Sequence, residues 1–493
     1  MTVGYEKKDN LTNKTIKSGM WMFGLRLANK LFGVLRKVIL ARILAPNDFG
    51  IFGIALLMMS ASEAFTKTGF DRALIQRQDG IENYLNTAWI VEVVRGVVLA
   101  LLLFSIAPTA AIFFDEPLAV PILRVLALSE VFKGLKSIRI VYFERELKFR
   151  KKFVYMLSGT IGDFVISIIA ALILQNAWAL VFGILSGDLI RSVVSYKMVP
   201  FKPTLEFSKT KAKELFDFGK WKLLSGIIIF LSLYIDDLAV GRILGATSLA
   251  LFQMAFQMSN ITASEITHAV LRVAFPSYSK IQHDRERLRK AYKKTLELIL
   301  TFSLPIAGGM IVLAPLGIEI VLGSEWLGMT GAFQILAVMG VLRTISESGT
   351  PVFYAVKSPK ANFTLNKWRL LVLIIIIFPF TSIWGLEGAA IASTLALTVS
   401  IVPLLNLLTK FINGTFREYI RLIYSPLVSA IVMVLILISV DYLIEFESIG
   451  GLVFMILLGG VSYMSFLFLS FKYLSLGPWN NIKQISKQVI RSN

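Results

Sequence analysis

Three cations interrupt an apolar run near the start of the chain. Arg26, Lys30 and Lys37 follow one another at steps of four and seven residues, which places them on one stripe of a helix with 3.6 residues per turn. An ionisable group inside a bilayer costs about 2.5–3.5 kcal/mol on insertion scales and normally faces a water-filled cavity or a partner. The stripe is therefore a candidate anion-binding surface. The competing reading is that Arg26 and Lys30 snorkel to the headgroups.

A second constellation involves a pair of like charges and its reversal. VLRKVILARILA (34–45) carries Arg36-Lys37, and YIDDLAVGRILG (234–245) repeats its ending with Asp236-Asp237 in place of the basic pair. Three chemistries suit these positions. The pairs bridge to each other as a gate, or Asp236 or Asp237 binds a coupling H+ or Na+, or each pair is solvated near the outer mouth. Glu63 and Lys67 stand at i,i+4 and Glu92 and Arg95 at i,i+3, spacings that suit local pairs. Asp163, in SGTIGDFVIS, and Glu265, near His268, have no evident partner in sequence. Each is a functional candidate or a buried, hydrogen-bonded carboxylate.

Other chemistries are excluded. There is no cysteine, and the two histidines, His268 and His283, cannot build a cluster. No phosphate-binding loop lies in a soluble domain, so direct ATP drive is not expected, and no catalytic residue, metal or cofactor is expected.

The elements that carry these charges are membrane helices. Hydrophobic residues make up 56% of the 493 and charged residues 17%, with mean hydropathy +0.70; soluble domains carry about 25% charged residues. Runs such as 90–113, 162–184, 295–315 and 449–471 meet the requirement of about 20 residues per span. The pattern predicts fourteen transmembrane helices, near 19–43, 48–68, 86–108, 118–138, 153–173, 177–196, 219–242, 246–270, 295–315, 328–349, 362–382, 386–409, 422–440 and 449–471. The fold class is all-α integral membrane.

Net charge is +19, and its distribution follows topology rather than a nucleic-acid partner. Basic residues concentrate in the connections 130–152, 196–222 and 272–294. APND (45–48), FDEP (114–117), LQNAW (174–178), GSEW (323–326) and VDYLIEFES (440–448) hold none. The positive-inside rule then places both termini in the cytoplasm. SKTKAKELFDFGKW (208–221) reads as a headgroup-layer helix or a basic loop, and the basic tail 471–493 suits anionic lipids.

Shifting the chain by 200 residues aligns Gly19 with Gly219, Trp21 with Trp221, Leu31 with Leu231 and Arg42-Ile43-Leu44 with Arg242-Ile243-Leu244. Phe52, Ala55 and Met58 align with Phe252, Ala255 and Met258. Six predicted helices separate the copies, so both cross in the same direction. They are parallel repeats about an axis along the membrane normal. The domain reading is an N-lobe over 1–200 (helices 1–6), a C-lobe over 201–412 (helices 7–12), and 413–493 with helices 13–14 and a basic tail. Two such lobes suit alternating access.

VILARILAPNDFGIFGIALL (38–57) and GFDRALIQRQ (69–78) resemble the opening of the Wzx-type polysaccharide transporters, in the multidrug/oligosaccharidyl-lipid/polysaccharide flippase superfamily. FDFGKWKLLSG (216–226), LAVGRILGA (238–246) and VLRVAFPSYSKIQHDRERLRKAY (270–292) are similar to the start of that family's second lobe and its central inner loop. The resemblance runs from about residue 14 to 440.

It implies a flippase that carries polyprenyl-diphosphate-linked oligosaccharide units to the outer leaflet of the bacterial cytoplasmic membrane, for capsule, O-antigen, exopolysaccharide or teichuronic acid assembly. It also implies a V-shaped pair of lobes with helices 1, 2, 7 and 8 lining a cavity, and other polysaccharide-assembly proteins as partners. On this reading Arg26, Lys30 and Lys37 meet diphosphate or acidic sugar. The alternative within the superfamily is a cation-coupled multidrug exporter, which calls for an acidic, aromatic cavity. A membrane enzyme would need a large extramembrane loop, and the loops here are short.

Overall fold

The computed structural model describes the backbone of residues 3–66, 74, 80–444 and 446–474. Within these stretches it describes the side chains outside 3–20, 23, 212–213, 215–229, 261–266, 268–269, 359, 416, 471, 473 and 474. Among the described residues the chain is helical, with no strand. Long runs of Leu, Ile, Val, Ala and Phe satisfy every backbone group within the segment, the condition for crossing hydrocarbon. Ten stretches of the described residues are long and apolar enough to span a membrane.

The long helices in chain order are α1 (Val3–Ala41), α2 (Pro46–Thr66), α3 (Glu82–Phe114), α4 (Ala119–Gly134), α5 (Phe149–Leu174) and α6 (Trp178–Met198). They continue with α7 (Lys209–Lys280), α8 (Arg285–Val312), α9 (Thr330–Ser348), α10 (Pro359–Ile412), α11 (Phe416–Leu443) and α12 (Ile449–Leu474). Helix α1 begins well before the expected residue 19, because its polar first turns continue the same backbone bonds beyond the apolar run. The stretch 208–221 is not a separate element: from Lys209 it is the opening of α7. Of the motif 69–78 only Leu74 is described, and it is fully buried; residues 475–493 of the tail lie outside the described residues.

Local chemistry sets the ends. Pro46 stands at the first position of α2, where its missing N–H costs nothing. Helix α3 closes on Asp115, α5 on Gln175 and α10 on Asn413, each in the left-handed conformation. Thr415 and Glu418 form a reciprocal capping box at the start of α11.

Two helices are broken within. Gly245 interrupts α7 at φ 82°, ψ −178°, and Gly385 interrupts α10 at φ 60°, ψ −135°. These are conformations in which a side chain is strained. A Cβ at Gly385 would meet nothing within 4 Å, so the cost of substitution there is conformational alone. Gly385→Ala is expected to lower stability by about 1–3 kcal/mol, read as a drop in Tm of the detergent-solubilised protein. An unchanged Tm would show that the break tolerates a side chain.

The helices gather into two compact units. Unit 1 comprises Met1–Tyr234 with Gly245–Ala250, and unit 2 comprises Ile235–Leu244 with Leu251–Asn493. In unit 1, α5 lies along α6, α3 along α4, and α1 against α5. A Cβ at Gly159 would come 2.7 Å from the Gly187 carbonyl, and one at Gly187 would come 2.8 Å from the Gly159 carbonyl. The α5–α6 crossing is thus a small-residue contact, the usual means of close approach between membrane helices. In unit 2, α9 packs on α10, and α11 on both α8 and α12. Its core is built around Tyr278, Leu288, Tyr292, Phe353, Leu404 and Tyr419. Outward faces are apolar as well: Ile173 and Ile375 are 74% and 70% exposed, tolerable only where lipid is the solvent.

Candidate functional site

Each unit holds a cluster of charges within its membrane-spanning helices. In unit 1 the centre is Arg36 on α1. Its Nη2 lies 3.0 Å from the Asp163 Oδ1 on α5, and its Nε donates to the Ser167 hydroxyl at 3.0 Å. The Asp163 contact is ionic, without hydrogen-bond alignment. Space for the pair comes from α6: a Cβ at Gly183 would fall 2.5 Å from Asp163 Oδ1 and 3.0 Å from Arg36 Nη2. One turn further on, Asp188 accepts from Arg191 at 2.6 Å and from the Ser129 hydroxyl. Both charges lie within electrostatic reach of Asp163.

A second group in unit 1 joins α2, α3 and α4. Lys133 Nζ reaches Glu63 and Glu130 at 2.7 Å each, and Arg95 pairs with Glu92 at 3.0 Å. Outside the spans, Glu82, Arg139, Tyr142 and Lys148 line a polar cavity of about 330 Å³. There burial and the hydrogen bond to Glu82 push the Tyr142 hydroxyl up to about 12.

The Gly245 break also serves unit 1. The Thr247 hydroxyl donates to Asn47 Oδ1 at 3.1 Å. A Cβ on Gly50 would fall 1.9 Å from the Ala246 carbonyl oxygen. Only glycine lets the start of α2 lie this close to the chain after the break.

In unit 2 the centre is Asp236-Asp237 on α7, both buried. Asp236 accepts the Asp237 backbone N–H at 3.1 Å and the Ser393 hydroxyl at 3.3 Å. Asp237 accepts from Gln253 Nε2 at 3.1 Å. Arg369 on α10 and Arg343 on α9 lie within electrostatic reach of Asp236. Arg343 donates to Asn260 Oδ1 at 3.0 Å and sits 5.3 Å over the Phe256 ring. An apolar cavity of about 630 Å³ opens elsewhere in unit 2, lined among others by Phe302, Pro305, Met310, Met433, Met455 and Tyr463. Its most evident polar group, the Tyr463 hydroxyl, is bonded to the Thr301 carbonyl at 2.7 Å.

Several sequence expectations change against this geometry. Asp163 is not partnerless: Arg36 is its counterion, because α1 lies along α5. Within each unit, Arg36 pairs with Asp163 and Asp236 accepts from the Ser393 hydroxyl. Glu63 pairs across helices with Lys133, while Lys67 lies outside the described residues. Glu92 and Arg95 do pair locally. Along α1, Arg26 is exposed whereas Lys30 and Lys37 are half-buried, and both lysines have interaction partners. Glu265 and His268 belong to the side chains outside the described set. Arg343, Arg369, Gln253, Ser393, Ser167 and Lys133 carry the clusters, and the sequence singled out none of them. The apolar setting of Arg343, in VMGVLRTIS, was the one available signal.

The fold is similar to that of a solved structure described as lipid II flippase MurJ in its inward closed conformation, with TM-score 0.73 and 17% identity, covering 93% of this chain and 99% of that one. The family follows from the sequence. Residues 39–331 match the family model described as polysaccharide biosynthesis protein, and the chain belongs to that family. An uncharacterized membrane protein in the cps region of Klebsiella pneumoniae is 26% identical, covering 94% of this chain and 96% of its own length. Lipopolysaccharide biosynthesis protein WzxC of Escherichia coli (strain K12) is 23% identical and covers 85% of each chain. The resemblance to Wzx-type transporters read from the motifs is borne out.

Proposed function

We propose that this multi-span membrane protein is a flippase, not an enzyme. It moves polyprenyl-diphosphate-linked oligosaccharide repeat units from the cytoplasmic to the outer leaflet of a bacterial cytoplasmic membrane. The observation that carries this reading is membership of the polysaccharide biosynthesis family by a chain whose spans enclose charges. A lipid-linked diphosphate must take its anionic head across about 30 Å of hydrocarbon. Cations held inside the protein lower that barrier, while the apolar cavity of unit 2 offers a place for a polyprenyl chain.

We read fourteen crossings, N-in and C-in. Eight of the ten apolar stretches count once, the two containing Gly245 and Gly385 count twice, and α1 and α4 complete the set. Basic connections at alternate ends support the orientation. A parallel repeat is supported by the 200-residue register in which Arg42-Ile43-Leu44 recurs as Arg242-Ile243-Leu244. Alternating access of the lobes is the mechanism such a repeat serves.

Arg26, Lys30 and Lys37 are the substrate-facing cations of α1 on this reading. Asp236 or Asp237 takes a coupling H+ or Na+, with Asp163, Glu63 and Glu265 as further candidates for gating or coupling.

The test is reconstitution. Proteoliposomes containing the purified protein should expose a fluorescent polyprenyl-diphosphate oligosaccharide to an impermeant quencher faster than empty vesicles. Imposed H+ and Na+ gradients then identify the coupling ion. Rates equal to those of empty vesicles under every gradient would sink the reading.

A further inference from the structure

Residues 201–208 lead from α6 to α7 without regular secondary structure. Pro200 and Pro203 keep the chain from continuing as helix, and the connection is tied down along its length. At its root the Phe201 ring is buried in a cluster with Leu74, Ile81, Tyr84 and Ile138. The Ser137 hydroxyl donates to the Val199 carbonyl at 3.2 Å, and Arg139 donates to the Pro200 carbonyl at 3.2 Å. Further along, the Thr204 N–H donates to Asn86 Oδ1 at 3.3 Å. Asn86 Nδ2 donates back to the Thr204 hydroxyl and, at 3.5 Å, to Glu206. The Ser208 N–H donates to the Thr87 hydroxyl at 3.2 Å. The segment is a strap across the first turns of α3, wholly within unit 1.

Thr204, Glu206 and Ser208 face α3, so on an extended chain Leu205 and Phe207 point the other way. They are 89% and 55% exposed. One exposed apolar side chain is ordinary, but these two share one face of a fixed strap. Their depth follows from α3. Asn86 and Thr87 stand just before the apolar run 90–113, about 5 Å along the helix axis at 1.5 Å per residue. Beside them Trp89 Nε1 donates to the Tyr196 hydroxyl at 2.9 Å, and Trp and Tyr collect where hydrocarbon meets headgroups.

The charges of the strap fit the same level. Glu206 is engaged with Asn86, and Glu214, early in α7, accepts from the Tyr84 hydroxyl at 2.8 Å. Lys202 and Lys209, at the two ends of the strap, are exposed. Apolar side chains flanked by lysines suit the headgroup layer of a membrane that contains anionic lipid.

We propose that Leu205 and Phe207 dock into the headgroup layer of the bilayer at this end of unit 1, where Lys202 and Lys209 attract anionic phospholipid. Depth selects a lipid surface over a soluble partner, because the strap is bonded to α3 at the edge of its hydrocarbon-spanning run. On the N-in reading this is the cytoplasmic leaflet; the docking itself does not depend on orientation. Since α7 begins at Lys209, the strap ties the start of that broken helix to the membrane surface.

The experiment uses the full-length protein, which has no native cysteine, with Leu205→Cys carrying an environment-sensitive fluorophore. The reference is Arg287→Cys, whose native side chain is 76% exposed and which lies well before the apolar run 295–315. Both are placed in nanodiscs of phosphatidylcholine with and without phosphatidylglycerol. The label at 205 should emit at shorter wavelength than the label at 287. It should be quenched by lipids carrying a doxyl group high on the acyl chain, and shielded from iodide. Phosphatidylglycerol should strengthen all three effects. Lys202→Gln and Lys209→Gln should each lower the ratio of docked to free strap by about fivefold, read as loss of the part that phosphatidylglycerol adds.

If Leu205→Cys does not fold, Phe207→Cys carries the same comparison. A label at 205 that iodide reaches as freely as at 287 would overturn the docking. So would a label that neither quencher reaches, since the side chain would then pack on protein. Quenching indifferent to phosphatidylglycerol and to both lysines would overturn the assignment to anionic lipid.

Discussion

Cysteines placed at Asn47 and Thr247 and joined by oxidation or a short crosslinker should stop transport, and reductive release should restore it. The two side chains are already in hydrogen-bonding contact at 3.1 Å, and the absence of native cysteine removes any competing thiol. The reasoning begins with position. Residue 47 lies at the start of α2 and residue 247 in the corresponding place after Gly245, and both stretches are free of Lys and Arg. Residues 245–250 belong to unit 1 while the flanking parts of α7 from Ile235 to Leu244 and from Leu251 on belong to unit 2, so a transport cycle that moves the broken helix works this contact. A covalent link there fixes the break in one arrangement, so flipping falls to the rate of empty vesicles. The single-cysteine proteins should keep wild-type rates under the same oxidant. A fully crosslinked protein that still flips at the wild-type rate would show that the break does not move during transport.

The second large effect concerns Arg36 and Asp163. Their side chains are 15% and 20% exposed, so removing one partner leaves the other as an uncompensated charge in a poorly solvated place. Breaking such a pair costs about 3–5 kcal/mol, whereas replacing both members with apolar groups is often neutral. Arg36→Met and Asp163→Leu should each lower the Tm of the solubilised protein sharply, and the double variant should recover most of the loss. Transport need not follow stability. If Arg36 lends its charge to the passing headgroup, the stable double variant still flips slowly. Wild-type transport in the double variant would reduce the pair to a packing role.

The charged clusters show where reading the sequence stops. A helix carrying Arg36 was legible because periodicity and hydropathy are local properties. Its counterion was not, because Asp163 is 127 residues away and meets Arg36 only once α1 lies along α5. Gly183 gives no sign in sequence that it clears space for the pair; only a Cβ built at that position collides with both charges. Lys133 was counted with the basic residues of the inner connection 130–152, yet it turns inward to Glu63 and Glu130. Charge counting along loops cannot distinguish a cation that faces headgroups from one that closes a helix contact. Arg343 was hidden for the same reason: its bond to Asn260 exists only where α9 meets α7.

Composition and period by themselves determined that this chain is a bundle of membrane helices. The burial of some twenty consecutive apolar residues admits few other outcomes, and RIL at 42–44 recurs at 242–244. The reversed charges at 36–37 and 236–237 were visible too, as a puzzle. Only the tertiary structure decided their partners, since an ion pair is a contact between helices and forms at distances of a few ångströms that no spacing within one helix encodes. Helix packing alone gave Arg36 its carboxylate in unit 1 and Asp236 the Ser393 hydroxyl in unit 2.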